Sequence, residues 1–458
     1  MRIATVDPAT GRTLHTFPAM TGAEVDAALD GAARAAAALP AAGFDRRAAW
    51  LRAAADLLDA ERDTVAATMT TEMGKPVVAA RAEVAKCAAA CRFYADRARD
   101  LLADEPLEDP AQVGARRAYV RYQPLGPVLA VMPWNFPLWQ VVRFAAPALM
   151  AGNPGLLKHA SNVPQTARYL GGLFTRAGFP PGSFTALLVG SAAVADIIAD
   201  DRVAAVTLTG SDAAGRAVGE AAGRALKKVV LELGGSDPYL VLPSADLARA
   251  AAVAVTARCQ NNGQSCIAAK RFIVHSAVYE EFVDAFTAGM AALRVGDPMD
   301  EATQVGPLAT EAGRDGVAAQ VDDARAHGAT VRWGGVVPER PGWWYPPTVV
   351  TGLTRAMRMW REEVFGPVAG VYEVESLDEA VALANDTPFG LGANVWTADG
   401  AEQRRCVADL RAGAVFVNGM TTSYPQLPFG GVRNSGHGRE LGAHGIREFC
   451  NAKTVWVG

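Results

Sequence analysis

The feature that most constrains this chain is an alternation, occurring twice along its length, between short apolar β-favouring runs and stretches with helical periodicity. Runs at residues 128–132, 155–157, 186–189, 204–208 and 229–233 form the first set, with helix-period segments between most of them. A second set lies at 272–274, 345–350, 368–371 and 414–418, separated by amphipathic segments such as 277–293 and 377–384. Parallel strands need long, usually helical crossovers and are buried on both faces, so they read as continuous apolar runs. The alternation therefore predicts an α/β protein with two parallel-sheet lobes, and 458 residues are enough for two cores.

The flanking segments read differently. Residues 21–99 are Ala-rich with apolar positions at three- and four-residue spacing, a helical entry region. Residues 116–123 alternate charged and β-favouring types before Pro124 and Gly126, which predicts an exposed β-arm. Residues 451–458 also alternate, and such a strand must pair with another strand or remain a costly edge. No repeat of fixed period and no low-complexity linker is visible.

Composition excludes several classes of function. The net charge is −4 with no Lys/Arg cluster interleaved with aromatics, so nucleic acid is not an expected partner. No stretch of eighteen uninterrupted apolar residues and no apolar leader segment are present, so no membrane association is expected and the expected compartment is the cytoplasm. The six cysteines form no CxxC pair, and the histidines show no HxxxH spacing, so neither disulfides nor a metal is expected.

Four short segments carry chemistry. In QNNGQSC, residues 260–266, Cys266 follows a polar Gly-containing run and precedes small apolar residues that can open a helix or a tight turn. Near a helix N-terminus a thiol pKa falls below about 8.5 and the nucleophilic thiolate gains population; a small buried hydrophobe is the alternative reading. Glu232 ends an apolar strand just before two glycines, where a carboxylate with a raised pKa can act as a general base, or merely sit solvated at an edge. In VMPWNFP, residues 131–137, two prolines bracket Asn135, whose amide can stabilise an oxyanion or belong to a structural turn. In TLTGSDAAG, residues 207–215, Gly210 permits a tight turn and Ser211 is placed to cap a helix whose free N–H groups suit a phosphate. Neither GxGxxG nor GxxxxGK[ST] occurs.

In this order, PWNFP (133–137), Lys158 after GNPGLL, TGS (209–211), ELGG (232–235), NNGQSC (261–266), EEVFGP (362–367) and PFGG (428–431) resemble the aldehyde dehydrogenase superfamily over nearly the whole chain. The resemblance implies a variant Rossmann cofactor lobe, a catalytic lobe and a β-arm for oligomerisation. Expected boundaries are 1–112 with 128–232 for the dinucleotide-binding domain, 233–435 for the catalytic domain, and 113–127 with 436–458 for the arm. It implies Cys266 as nucleophile, Asn135 with the Cys266 N–H as oxyanion hole, and Glu232 as activator of water. Trp134, Lys158, Gly210, Ser211, Glu363 and Phe365 are implied as cofactor-binding residues.

Three residues beyond Lys158, where NAD-preferring members commonly carry a glutamate, this chain has Ser161. Serine removes repulsion of a 2′-phosphate and can donate to it, so the expected cofactor is NADP, with NAD as the weaker alternative. Within the superfamily the chain is most similar to bacterial succinate-semialdehyde dehydrogenases, which implies a substrate ending in a carboxylate. In those relatives two arginines and a serine hold that carboxylate; here they map to Arg143, Ser423 and, displaced by two residues, Arg258, because the usual position is Gln260. Alternatives are a broad-specificity short-chain aldehyde dehydrogenase, a CoA-acylating relative, which tends to lack the glutamate found at 232, and a non-catalytic relative. A homodimer or homotetramer is the expected assembly, and Cys259 is a candidate disulfide partner of Cys266.

Overall fold

The structure, a computed structural model, describes residues 3–458. Two sheets organise it. The first has six strands in the order Gly436–His437, Lys228–Glu232, Ala205–Thr209, Val128–Met132, Gly155–His159 and Phe184–Ala186, all parallel except the first. Its winding direction reverses at Val128–Met132, which pairs with Gly155–His159 on one side and Ala205–Thr209 on the other. At such a switch point the loops leaving neighbouring strands diverge and open a crevice at the carboxyl ends of the strands.

The second sheet has seven strands: Thr330–Trp333, Thr348–Thr351, Val368–Val374, Ala269–His275, Asp237–Val241, Gly392–Trp396 and Ala414–Val417. Only Thr330–Trp333 runs antiparallel to its neighbour. The two-lobe α/β architecture thus agrees with the alternation of apolar runs.

Two central strands, Asp237–Val241 and Gly392–Trp396, were not anticipated from sequence. Pro238 explains the first, because proline argues against a central strand. Here the register with Ala269–His275 shifts between Asp237 and Pro238, so the missing N–H falls at an irregularity in the ladder. An N-terminal hairpin, Ile3–Asp7 with Arg12–Phe17, was likewise unforeseen.

The entry region folds into the helices Gly22–Ala41, Gly43–Ala60, Arg62–Met73 and Val77–Leu101. The first is started by a capping box between Thr21 and Glu24. Alanines at 54, 55, 80, 88 and 90 are fully buried and let these helices approach closely. The arm is Arg117–Pro124, paired along eight residues with Cys450–Val457 and at its other edge with Glu105–Pro106. Residues 436–449 do not join this arm sheet, contrary to the sequence expectation. Gly436–His437 extends the six-stranded sheet, and Gly445 and Ile446 of the helix Gly442–Arg447 are buried. No helix among the described residues is long and apolar enough to cross a membrane.

One buried carboxylate ties the hairpin to the lobe of the six-stranded sheet. Glu72 accepts from Thr5 Oγ1 (2.9 Å), the Gln165 N–H (2.7 Å), the Thr166 N–H (3.0 Å) and Thr166 Oγ1 (2.8 Å). It thereby caps the helix Pro164–Arg176, just after the strand that carries Lys158 and the turn that carries Ser161. Glu72→Leu orphans these donors and is expected to destabilise the protein by about 3 kcal/mol, read as a lowered Tm by calorimetry. Glu72→Gln, which keeps an acceptor, loses less.

Candidate active site

Residues 260–266 connect the helix Leu247–Cys259 to the strand Ala269–His275. Asn261, Asn262 and Gly263 have φ of 55°, 58° and 72°, the left-handed region that asparagine and glycine tolerate best. A Cβ on Gly263 would lie 2.4 Å from the carbonyl of Gly366, so space as well as φ demands glycine. Asn262 donates to the carbonyls of Gly74 and Pro307, both at 2.9 Å, and accepts from the Gly306 N–H at 2.8 Å.

Each backbone carbonyl from Gly263 to Cys266 accepts a hydrogen bond from a side-chain nitrogen. Arg258 donates to Gly263 O at 2.6 Å. Asn135 and Asn261 donate to Gln264 O at 3.1 and 3.0 Å. Lys270 donates to Ser265 O at 2.8 Å and to Cys266 O at 2.6 Å. The Lys270 ammonium also stands 3.2 Å from Glu363.

The glycines of ELGG make room for this arrangement. A Cβ on Gly235 would lie 2.5 Å from Cys266 O, and one on Gly234 would lie 2.5 Å from Glu363 Oε2. Cys266 itself is half-buried, in a turn leading into the strand rather than at a helix start. Burial pushes its thiol up to about 12, against the pull of Arg143 and Lys270. The turn is one of the two conformations that the sequence allowed at this point, and burial, which favours the neutral thiol, opposes the lowered pKa expected at a helix start. Cys259 is free as well; it is buried, with its sulfur 3.5 Å from that of Met290.

Asn135 is 4 % exposed, and its Nδ2 points at the carbonyl two residues before Cys266, leaving a second amide hydrogen. The PWNFP loop around it is fixed by His159. The Ala160 N–H donates to Nδ1 at 3.0 Å, so Nε2–H is the group that donates to Pro137 O at 2.9 Å. Burial pulls this imidazole down to about 4, which keeps it neutral.

Glu232 closes the strand Lys228–Glu232 in a buried cluster with Arg143 and Glu440. Arg143 forms a close ion pair with Glu440, lies 4.0 Å from Glu232 and donates to Thr209 Oγ1 at 3.2 Å. Burial raises the Glu232 carboxyl well above the usual range; Arg143 opposes the shift and Glu440 adds to it. A carboxyl held this way is ready to take a proton.

Two cavities share Cys266 as a wall. One, of about 240 Å³, is bounded by the helix Val77–Leu101 and by residues that include Trp139, Arg143, Gln260 and Ser423. The other, of about 410 Å³, is lined by Trp134, Asn135, Gly210, Ser211, Glu363 and Phe365 among others. In the second, the rings of Trp134 and Phe365 meet edge to face with centroids 5.8 Å apart. Ser211 caps the helix Asp212–Arg224 by accepting from the Ala214 N–H at 3.3 Å. A Cβ on Gly215 would lie 2.6 Å from the Leu233 side chain, so this glycine seats the helix on the sheet.

Lys158 and Ser161 do not line that cleft. They stand at and beyond the end of the neighbouring strand, with Lys158 in register with Val131. The Lys158 ammonium is buried and has no hydrogen-bond or ion-pair partner among the described residues, and burial lowers its pKa. A buried cation without a counter-ion fits an anionic ligand group. Among the described residues no cluster of metal-ligating side chains occurs.

The structure corrects the placement of one candidate substrate residue and qualifies another. Arg258 is fully buried and donates to Gly263 O and Ala269 O, so its guanidinium braces the cysteine loop and does not reach the cavity. Arg143 reaches the cavity but shares its charge with Glu440 and Glu232. Sequence reasoning missed Lys270, Lys75 and Lys86. Ala79, Ala82, Glu83 and Lys86, at three- and four-residue spacing on one helix face, line the same cavity, and that spacing is the signal that could have found Lys86.

A buried thiol implies that alkylation of Cys266 by iodoacetamide accelerates steadily from pH 7 to pH 10; a plateau below pH 8 would contradict the environment described. Lys270→Met removes one of the groups favouring the thiolate and slows alkylation at fixed pH.

The family model described as the aldehyde dehydrogenase family matches residues 1–455. The chain is 63 % identical to succinate-semialdehyde dehydrogenase [NADP(+)] 1 of Mycobacterium tuberculosis, covering 100 % of both. It is 62 % identical to succinate-semialdehyde dehydrogenase [NADP(+)] of Mycobacterium avium, covering 100 % of this chain and 97 % of the relative. The crystal structure of succinic semialdehyde dehydrogenase from Streptococcus pyogenes in complex with NADP+ superposes with a TM-score of 0.95 at 37 % identity over 99 % of each chain. That of succinate-semialdehyde dehydrogenase from Burkholderia pseudomallei gives 0.96 at 36 % identity over 100 % of this chain and 94 % of the other. The chain belongs to the aldehyde dehydrogenase family.

Proposed function

We propose that this enzyme oxidises succinate semialdehyde to succinate with NADP+. The observation that carries the reading is the single thiol standing between two cavities, a small cationic one and a cleft edged by a helix N-terminus and aromatic rings. The full-length similarity to NADP-dependent succinate-semialdehyde dehydrogenases supports both substrate and cofactor.

We infer the roles of the side chains as follows. The Cys266 thiol loses its proton to Glu232, directly or through water, and sulfur attacks the aldehyde carbon to give a thiohemiacetal. The oxyanion that forms is met by the free Asn135 amide hydrogen and the Cys266 N–H. Bound NADP+ supplies the acceptor for the hydride given up as the carbonyl re-forms. Once the thiol proton has passed from Glu232 to solvent, the carboxylate takes a proton from a water that attacks the thioester; the C–S bond breaks, that proton returns to the departing thiolate, and succinate leaves with the thiol regenerated.

For the cofactor, Trp134, Gly210, Ser211, Glu363 and Phe365 line the cleft, Glu363 being held by Lys270 and the Gly235 N–H. Lys158 and Ser161 together suit a 2′-phosphate, the first by charge and the second by a hydroxyl that no carboxylate opposes. We assign dinucleotide binding to the lobe of the six-stranded sheet, residues 1–112 and 128–232, and the nucleophile to the lobe of the seven-stranded sheet, residues 233–435. Exposed Leu107, Val113 and Trp456 on and beside the arm support assembly into a homodimer or homotetramer. Six free cysteines suit work in a reducing cytoplasm.

Cys266→Ala is expected to abolish reduction of NADP+. Glu232→Gln, which removes the base for both thiol attack and thioester hydrolysis, is expected to slow NADP+ reduction by on the order of 100-fold or more, with no early burst. The wild-type enzyme prefers NADP+ by about tenfold or more in kcat/KM, equivalent to ~1.4 kcal/mol, and Ser161→Glu reverses the preference; an NAD+ preference in the wild type would sink the cofactor reading.

A further inference from the structure

Three cations face the small cavity beside Cys266, and two are committed. Lys75 forms a close ion pair with Glu83, whose other oxygen accepts the Leu138 and Trp139 N–H groups at 2.9 and 2.8 Å. Arg143 is paired with Glu440 and has Glu232 at 4.0 Å. Lys86 has no ion-pair partner among the described residues. Its ammonium lies 4.2 Å from the centre of the Trp139 ring and donates to Ser423 Oγ at 3.0 Å.

Ser423 completes the picture. Its Oγ also accepts from Trp139 Nε1–H at 3.0 Å, and the residue is 4 % exposed. A hydroxyl offers two acceptor sites and one donor. Both acceptor sites are filled by nitrogen donors, so the O–H is left to donate, and no acceptor for it is found among the described residues. An ammonium without a counter-ion and a hydroxyl with only its proton to give are the two halves of an anion site, and a carboxylate, which only accepts, matches both.

Resting on the succinate-semialdehyde reading, in which the resemblance already gives Ser423 as a carboxylate-binding residue, we propose that Lys86 is the cation that holds the distal carboxylate of the substrate beside that serine. It does the work of the arginine that Gln260 replaces at the cavity wall and that buried Arg258 cannot supply. Trp139 aligns the pair, stacking under the ammonium and fixing the hydroxyl rotor through its indole N–H. Burial draws the Lys86 ammonium down to about 8, and an incoming carboxylate relieves that desolvation by pairing with it.

The test compares succinate semialdehyde with butanal, which has the same number of carbons and no carboxylate, in the NADP-loaded wild type, Lys86→Gln and Lys86→Arg. A charge-assisted contact of this kind predicts that Lys86→Gln lowers the ratio of the two kcat/KM values by on the order of 10- to 100-fold. The loss falls mainly on the KM for succinate semialdehyde, and Lys86→Arg restores most of the ratio. An unchanged ratio in Lys86→Gln, or an equal loss on both aldehydes, overturns the proposal while leaving the substrate reading intact. A wild type that does not prefer succinate semialdehyde to butanal overturns the substrate reading on which it rests.

Discussion

The active site depends on satisfying four consecutive backbone carbonyls, from Gly263, which ends a single 3-10 turn, to Cys266 in the turn that follows. A buried carbonyl left without a donor costs about 1–3 kcal/mol, so a loop of this kind survives in a core only if side chains serve it. They come from three directions: Arg258 from the preceding helix, Lys270 from the following strand and Asn135 from the other lobe. The loop is thus braced from both lobes, and the groups that hold it also set the field at the sulfur. Lys270 binds the Cys266 carbonyl, pulls against the burial of its thiol and anchors Glu363 at the wall of the larger cleft.

Charge in this interior is allocated sparingly. Arg258 and Arg143 are the residues that sequence alone would send to the substrate, yet one braces a loop and the other balances two carboxylates. Removing a partner from such a buried pair would leave an uncompensated charge, which explains why these guanidiniums are not free to move toward a ligand. The cavity keeps its surplus positive charge on a lysine lodged against an indole.

The α/β architecture was legible because its strands are buried on both faces and read as apolar runs, as at Val128–Met132 and Val368–Val374. Asp237–Val241 was hidden by Pro238, which only the irregular register at that point makes tolerable. Site motifs with local logic, such as the Ser211 cap and the glycines before Ser236, could be read in order along the chain. Contacts set by tertiary approach could not: Lys86 meets Ser423 across a separation of 337 residues. Likewise Cys266 occupies a turn where local pattern allowed a helix start, and its burial, which no nearby residue type announces, reverses the expected shift of its thiol.

The pairing of Arg117–Pro124 with Cys450–Val457 has a consequence for biogenesis. The two strands are made at widely separated times, and most of both lobes is synthesised in between. Throughout that interval the earlier strand presents its ladder of N–H and C=O groups to whatever is nearby, an edge open to templated association. Its alternation of Arg117 and Arg121 with Tyr119 puts charge on that edge, a guard against premature pairing. A polypeptide truncated before residue 450 would leave the Arg117–Pro124 edge without its long partner strand.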